Sequence, residues 1–125
     1  MRTLVKDVRN SAIEKLRHGV RTSRASELHN NLFNEDYYIV GTYEAKQWLG
    51  EEAFDAIEKI KTYENDNFGE VSTDLADPEK VVNMLAYILG EEVLQGSEIL
   101  QGKLVCDGWL ESEDCKAIAE ELENS

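Results

Sequence analysis

One segment constrains the fold more than any other. Residues Asp77-Pro78-Glu79 open it with a capping aspartate, proline at the first helical position and an acid in the first turn, a strong helix start. The helix that follows, EKVVNMLAYILGEEVL, is apolar on almost every side, at Val81, Val82, Met84, Leu85, Ala86, Ile88 and Leu89. A helix of that kind has to be surrounded, so it predicts the central helix of a bundle. Gly90 interrupts the apolar pattern and marks its last turns as the weakest.

The remaining segments supply the surrounding helices. Leu4, Val8, Ala12, Leu16 and Val20 recur every fourth residue, which predicts a first helix from about Thr3, as cap, to Gly19. Ser23 or Ser26 is expected to cap a short second helix carrying Leu28, Leu32 and Phe33. Thr42 is expected to cap a third that runs to about Tyr63, with a break at Gly50, and the acidic loop YENDNFGE should follow. A last helix is expected from Ser112 to Glu123, with Cys115, Ile118, Ala119 and Leu122 facing inward. Short β-favouring runs leave strands open at residues 36–43 and 103–106. The expected fold is mostly α, a single compact bundle of about five helices with one or two short strands.

Composition fits that picture. The chain has 125 residues, the size of one domain, and 42% of them are hydrophobic, enough to fill a core. Its charge is lopsided. Residues 1–24, read as a basic amphipathic helix, carry seven basic and two acidic groups, net +5, whereas residues 25–125 form an acidic body of net −18. The total of −13 argues against direct nucleic-acid binding, which needs a basic surface, and against docking on an anionic membrane. The basic helix is expected to lie against an acidic body, its own or that of a second copy in a homodimer. No apolar leader and no run of about 18 apolar residues is seen, so a cytoplasmic protein is expected. Cys106 and Cys115 are read as reduced thiols.

Reactive-site patterns are sparse in the chain. The run Glu64-Asn65-Asp66-Asn67-Phe68-Gly69 has the look of a calcium loop, but Phe68 would occupy a ligand position and Leu75 the place of the closing glutamate. His18, His29, Cys106 and Cys115 lack the spacing of a zinc site, and His18 suits the C-terminal end of the first helix. No nucleophile elbow, phosphate loop or dinucleotide fingerprint is present. No catalytic residue, metal or cofactor is expected. Acid–base chemistry by one of the many carboxylates is left open.

One constellation has geometry. On a helical wheel with Glu44 at zero, Glu51 falls at about −20°, Asp55 at about +20°, Glu58 at about −40° and Trp48 at about +40°. Ala45, Leu49, Ala53, Ala56, Ile57 and Ile60 occupy the opposite side. The four acids make a stripe roughly 21 Å long if the helix is continuous. Like charges one turn apart repel by a few tenths of a kcal/mol per pair, so the arrangement has a cost. They recur at whole helical turns, two, one and one apart, and the turn of about 5.4 Å is close to the roughly 6–7 Å between phosphates along one strand. The stripe is either a solvated outer face or a surface that enters a basic nucleic-acid channel. In the second case Trp48 and Tyr43 would anchor it.

The stretch DYYIVGTYEAKQWL, Asp36 to Leu49, and the later Phe68–Leu94 segment resemble a family of small acidic proteins from bacteriophages and related mobile elements, over about half the chain. The resemblance implies a virus-encoded protein in a bacterial host cytoplasm. Small acidic proteins in that setting include anti-CRISPR and antirestriction inhibitors. The partner so implied is a basic host protein such as a CRISPR effector or nuclease, held by Tyr43, Glu44, Trp48, Glu51, Asp55 and Glu58.

Overall fold

A computed structural model describes residues 4–18, 23–33 and 41–124. Its order is α1 (Val8–Arg17), β1 (Ser23–Arg24), α2 (Leu28–Leu32), α3 (Thr42–Phe68), α4 (Pro78–Gln95), α5 (Glu98–Cys106), β2 (Trp109–Leu110) and α6 (Ser112–Asn124). Short 3₁₀ turns at Val5–Asp7 and Ala25–Glu27 lead into α1 and α2. The mostly α expectation holds, with six α-helices among the described residues.

The helix that is apolar all round is the central one. α4 packs against α1, α2, α3 and α5, and Val81, Val82, Leu85, Ala86, Ile88 and Leu94 are buried. Asp77 Oδ1 accepts from the Glu79 backbone N–H at 3.0 Å, with Pro78 in the first turn, as the motif requires. The helix runs through Gly90 to Gln95. Its bare backbone receives the Phe33 ring from α2, and a Cβ there would lie 2.9 Å from that ring. The glycine is a packing device here, and it lets a fully buried aromatic sit against the central helix.

The α3–α4 contact is the most extensive, and Ala45 and Ala56 of α3 and Ala86 of α4 are buried, which lets the two backbones approach closely. α3 corrects four expectations. It begins one residue differently: Gly41 is the cap, and Thr42 is helical, its hydroxyl donating to Glu79 Oε2 at 2.7 Å so that the starts of α3 and α4 are tied. Thr42 and Tyr43 are therefore not strand, and residues 36–40 lie outside the described ones. Nothing breaks at Gly50, which is exposed with open space around it. The expected acidic loop after Tyr63 is helical as far as Phe68, because one helical face there is still tied inward. Gly69, at φ +78°, ends the helix in the left-handed region, its N–H donating to the Asn65 carbonyl at 3.2 Å.

Residues 103–106 are also helix and not strand. Ser97 is buried and its Oγ accepts from the Leu100 N–H at 3.1 Å, which starts α5 and carries it through Cys106. Strand pairing occurs elsewhere: β1 and β2 pair antiparallel, Ser23 opposite Leu110 and Arg24 opposite Trp109. Neither Ser23 nor Ser26 caps α2. Ser26 instead helps fix this corner, its backbone N–H donating to Asp107 Oδ1 at 3.1 Å. The Ser26 hydroxyl and N–H, with Arg24 3.6 Å away, hold the Asp107 carboxyl below its ordinary value. Neither cysteine is in a disulfide; Cys115 is buried and Cys106 exposed.

The basic first helix finds acids within the chain. α1 packs on α6, where Arg17 pairs with Glu123 and Arg9 donates to the Leu122 carbonyl near the C-terminal end of that helix. His18 stands at the C-terminal end of α1, 3.5 Å from Glu14. The expected cap Thr3 and terminator Gly19 lie outside the described residues.

Candidate interaction surface

The 27-residue α3 presents two unlike sides. Ala45, Leu49, Ala56 and Ile60 are buried against the bundle, and Glu44, Glu51, Asp55 and Glu58 are all exposed on the other side. Continuity through Gly50 puts the four acids on one face along roughly 21 Å. Glu58 has a cation 3.9 Å away, Lys61, three residues on. Among the described residues, Glu44, Glu51 and Asp55 have no hydrogen-bonded or ion-paired partner. Lys59 is turned away to Glu92 of α4 at 2.9 Å.

The aromatic residues are arranged differently from what the wheel alone implies. Tyr43 is 71% exposed, held by a hydrogen bond from Gln47 Nε2 at 2.9 Å. Trp48 is a correction. It is partly buried against the core, and its Nε1 is enclosed with no hydrogen-bond partner among the described residues, so it offers a partner an edge at most. Phe54, absent from the expected anchors, is 76% exposed. The signal was available, because the same wheel places Phe54 at about −80°, on the flank of the stripe next to Glu58. Tyr43 falls on that flank too, at about −100°.

Near its C-terminal end α3 carries an acid of another kind. Glu64 is fully buried. Its carboxylate accepts from the backbone N–H and hydroxyl of both Ser72 and Thr73, which fastens the loop before α4 to α3. Burial alone would raise its pKa, but the hydrogen bonds from Thr73 and Ser72 together outweigh burial and hold it below its ordinary value. The wheel shows why this acid differs: Glu64 falls at about 200°, among Ala53, Ile57 and Ile60.

A second feature lies between α2, α4 and α5. The His29 ring packs on Tyr87, centroids 4.4 Å apart, and on Phe33 at 5.1 Å. Its Nε2 is 3.3 Å from the Tyr87 carbonyl. Burial lowers the His29 pKa against the opposing pull of that carbonyl and of Glu91, which favours the neutral ring. Behind it Tyr63 donates its hydroxyl to Glu91 Oε2 at 3.0 Å, and burial with that carboxylate pushes its pKa up to about 12. His29, Tyr87 and Glu91 line a cleft of about 380 Å³.

Among the described residues no group of three or more histidine, cysteine or acidic side chains is placed to hold a metal ion, and no helix is long and apolar enough to cross a membrane. Comparisons with protein-family models, with curated proteins and with solved structures found no match.

Proposed function

We propose that this chain is a non-enzymatic binding protein whose α3 outer face engages the basic surface of a protein partner. The observation that carries the reading is the row of exposed acids Glu44, Glu51, Asp55 and Glu58, the first three without a cationic partner among the described residues, flanked by exposed Tyr43 and Phe54. Unrelieved like charge on a continuous helix gives a field that a basic surface would neutralise. That field would speed association and make it sensitive to salt. Tyr43 and Phe54 supply the apolar area that anchors such contacts, with Trp48 contributing from its edge.

The finer reading is that the partner handles nucleic acid. What supports it is the recurrence of the acids at whole helical turns, each about 5.4 Å, close to the roughly 6–7 Å between phosphates along a strand. A host nuclease or a CRISPR effector is the partner of that chemistry, and occupation of its nucleic-acid channel is the inhibitory mechanism. The rival reading, a homodimer joined through the basic helix, has less to support it, since Arg9 and Arg17 already meet α6 of the same chain.

The test is capture from bacterial lysate by the tagged chain and by its Glu51→Lys/Asp55→Lys form, at low and high salt, quantified by mass spectrometry. The reading expects a basic nucleic-acid-handling protein that is retained by the wild type at low salt, released at high salt and missed by the double variant. Equal capture by both forms would make the stripe a solvated face.

A further inference from the structure

The cleft between α2, α4 and α5 is independent of the α3 face, and its chemistry is one-sided. Among the described residues its wall holds one carboxylate, Glu91, and no lysine or arginine, with Ser26, Asn30, Gln95 and Gln101 as neutral polar lining. Glu91 Oε2 takes the Tyr63 hydroxyl, which leaves Oε1 without a hydrogen-bond donor among the described residues. The carbonyl of Tyr87 can only accept, so His29 Nε2 must carry the proton in their 3.3 Å contact. The neutral ring then offers Nδ1 as an acceptor, and not a competing positive charge. Leu94, Leu100 and Leu104 supply apolar wall. Negative charge, a neutral imidazole, aromatic surface and leucines within about 380 Å³ form the setting for a small organic cation with a flat body.

We propose that this cleft binds a planar cation of the amidinium or guanidinium class, its N–H groups donating to Glu91 and its flat, apolar part lying against the leucines and aromatic rings. A planar fork can put one N–H on the free Oε1 and a second on the lone pair of Oε2 that the Tyr63 hydroxyl leaves open. The same chemistry is carried by a free amidine or guanidine and by an arginine side chain presented by another protein.

Titration of isotope-labelled protein, followed by amide chemical shifts, tests this with three probes: benzamidine, neutral benzamide and N-acetyl-argininamide. Benzamidine should saturate and shift the amides around His29, Tyr87 and Glu91, and benzamide should not. Glu91→Gln should weaken benzamidine about tenfold or more, since it removes the charge but keeps an oxygen for the Tyr63 hydroxyl. A similar response to N-acetyl-argininamide would assign the cleft to an arginine side chain, and no response would assign it to a free cation. Equal binding of benzamide and benzamidine overturns the proposal. So do shifts confined to the Glu44–Glu58 face. If Glu91→Gln does not fold, the wild-type comparison of the two isosteres still decides. Glu51→Lys/Asp55→Lys should bind benzamidine normally, so failure here and failure of the α3 reading are separable.

Discussion

Glu51 and Glu64 stand on one helix, and the bundle treats them in opposite ways. Glu51 is exposed and has no partner among the described residues. Glu64 is fully buried, and two residues of the following loop spend four donors on it. A count of carboxylates treats the two alike. Their positions on the wheel do not: one faces away from α4 and the other shares the side of Ile60. Glu64 therefore belongs to the architecture, and the Glu44–Glu58 row is free to act on something outside the chain.

The largest effect should come from reversing the buried acid. Glu64→Lys leaves a cation facing four donors, and urea denaturation should show a loss of more than about 3 kcal/mol or no folded protein at all. Glu51→Lys on the same helix should change stability by no more than about 0.5 kcal/mol. Similar losses for the two variants would erase the distinction.

Glu64→Gln is the milder form of the same test. It keeps acceptor capacity at one oxygen but turns an amide N–H₂ toward donors, and a loss of about 1–3 kcal/mol is expected. It should also change the acid limb. The folded-state pKa of Glu64 lies below its ordinary value of 4.5, so on acidification the unfolded chain takes up this proton first. The stabilisation is complete above that value and is lost as pH falls through the lower folded pKa. Wild type should therefore lose stability below pH 4.5 more steeply than Glu64→Gln, in denaturation series at several pH values.

The partly buried pair on α3 and α4 lies between these extremes. Tyr63→Phe removes the hydroxyl from Glu91 and should cost about 0.5–1.5 kcal/mol at neutral pH. Because the folded tyrosine ionises only at about 12 and the unfolded one near 10.0, wild type should also lose stability as pH rises above 10, and the variant should lack that contribution. His29→Phe gives the smallest effect. The native ring resists protonation relative to its ordinary value of 6.5, so wild-type stability should decline as pH drops through that value towards the lower folded pKa, and the variant should be flatter there.

Much of the architecture was legible because it depends on periodicity. The apolar sequence of α4, its Asp77-Pro78 start and the two-sided wheel of α3 all follow from side-chain spacing that packing then obeys. The misreadings have a common cause, since they concern residues whose role is set by a distant neighbour. Gly90 reads as a helix weakness until Phe33 arrives from α2. Residues Asn65 to Phe68 read as a loop, although Glu64 keeps that end of α3 tied to Ser72 and Thr73. Residues 103–106 leave loop, helix and strand open until Ser97 caps the helix that contains them. In the site, the wheel shows the exposed acids and the place of Phe54 beside them, but not how far the core covers Trp48. The cleft of His29 and Glu91 joins three helices and has no signature in any one segment.

The claim that the α3 face is a binding surface is tested most directly by one variant measured two ways. Glu51→Lys/Asp55→Lys is predicted to keep the wild-type circular dichroism spectrum and denaturation midpoint while losing the salt-sensitive capture of a basic protein from lysate. A double variant that folds normally and captures the same protein, with the same salt dependence, would contradict it.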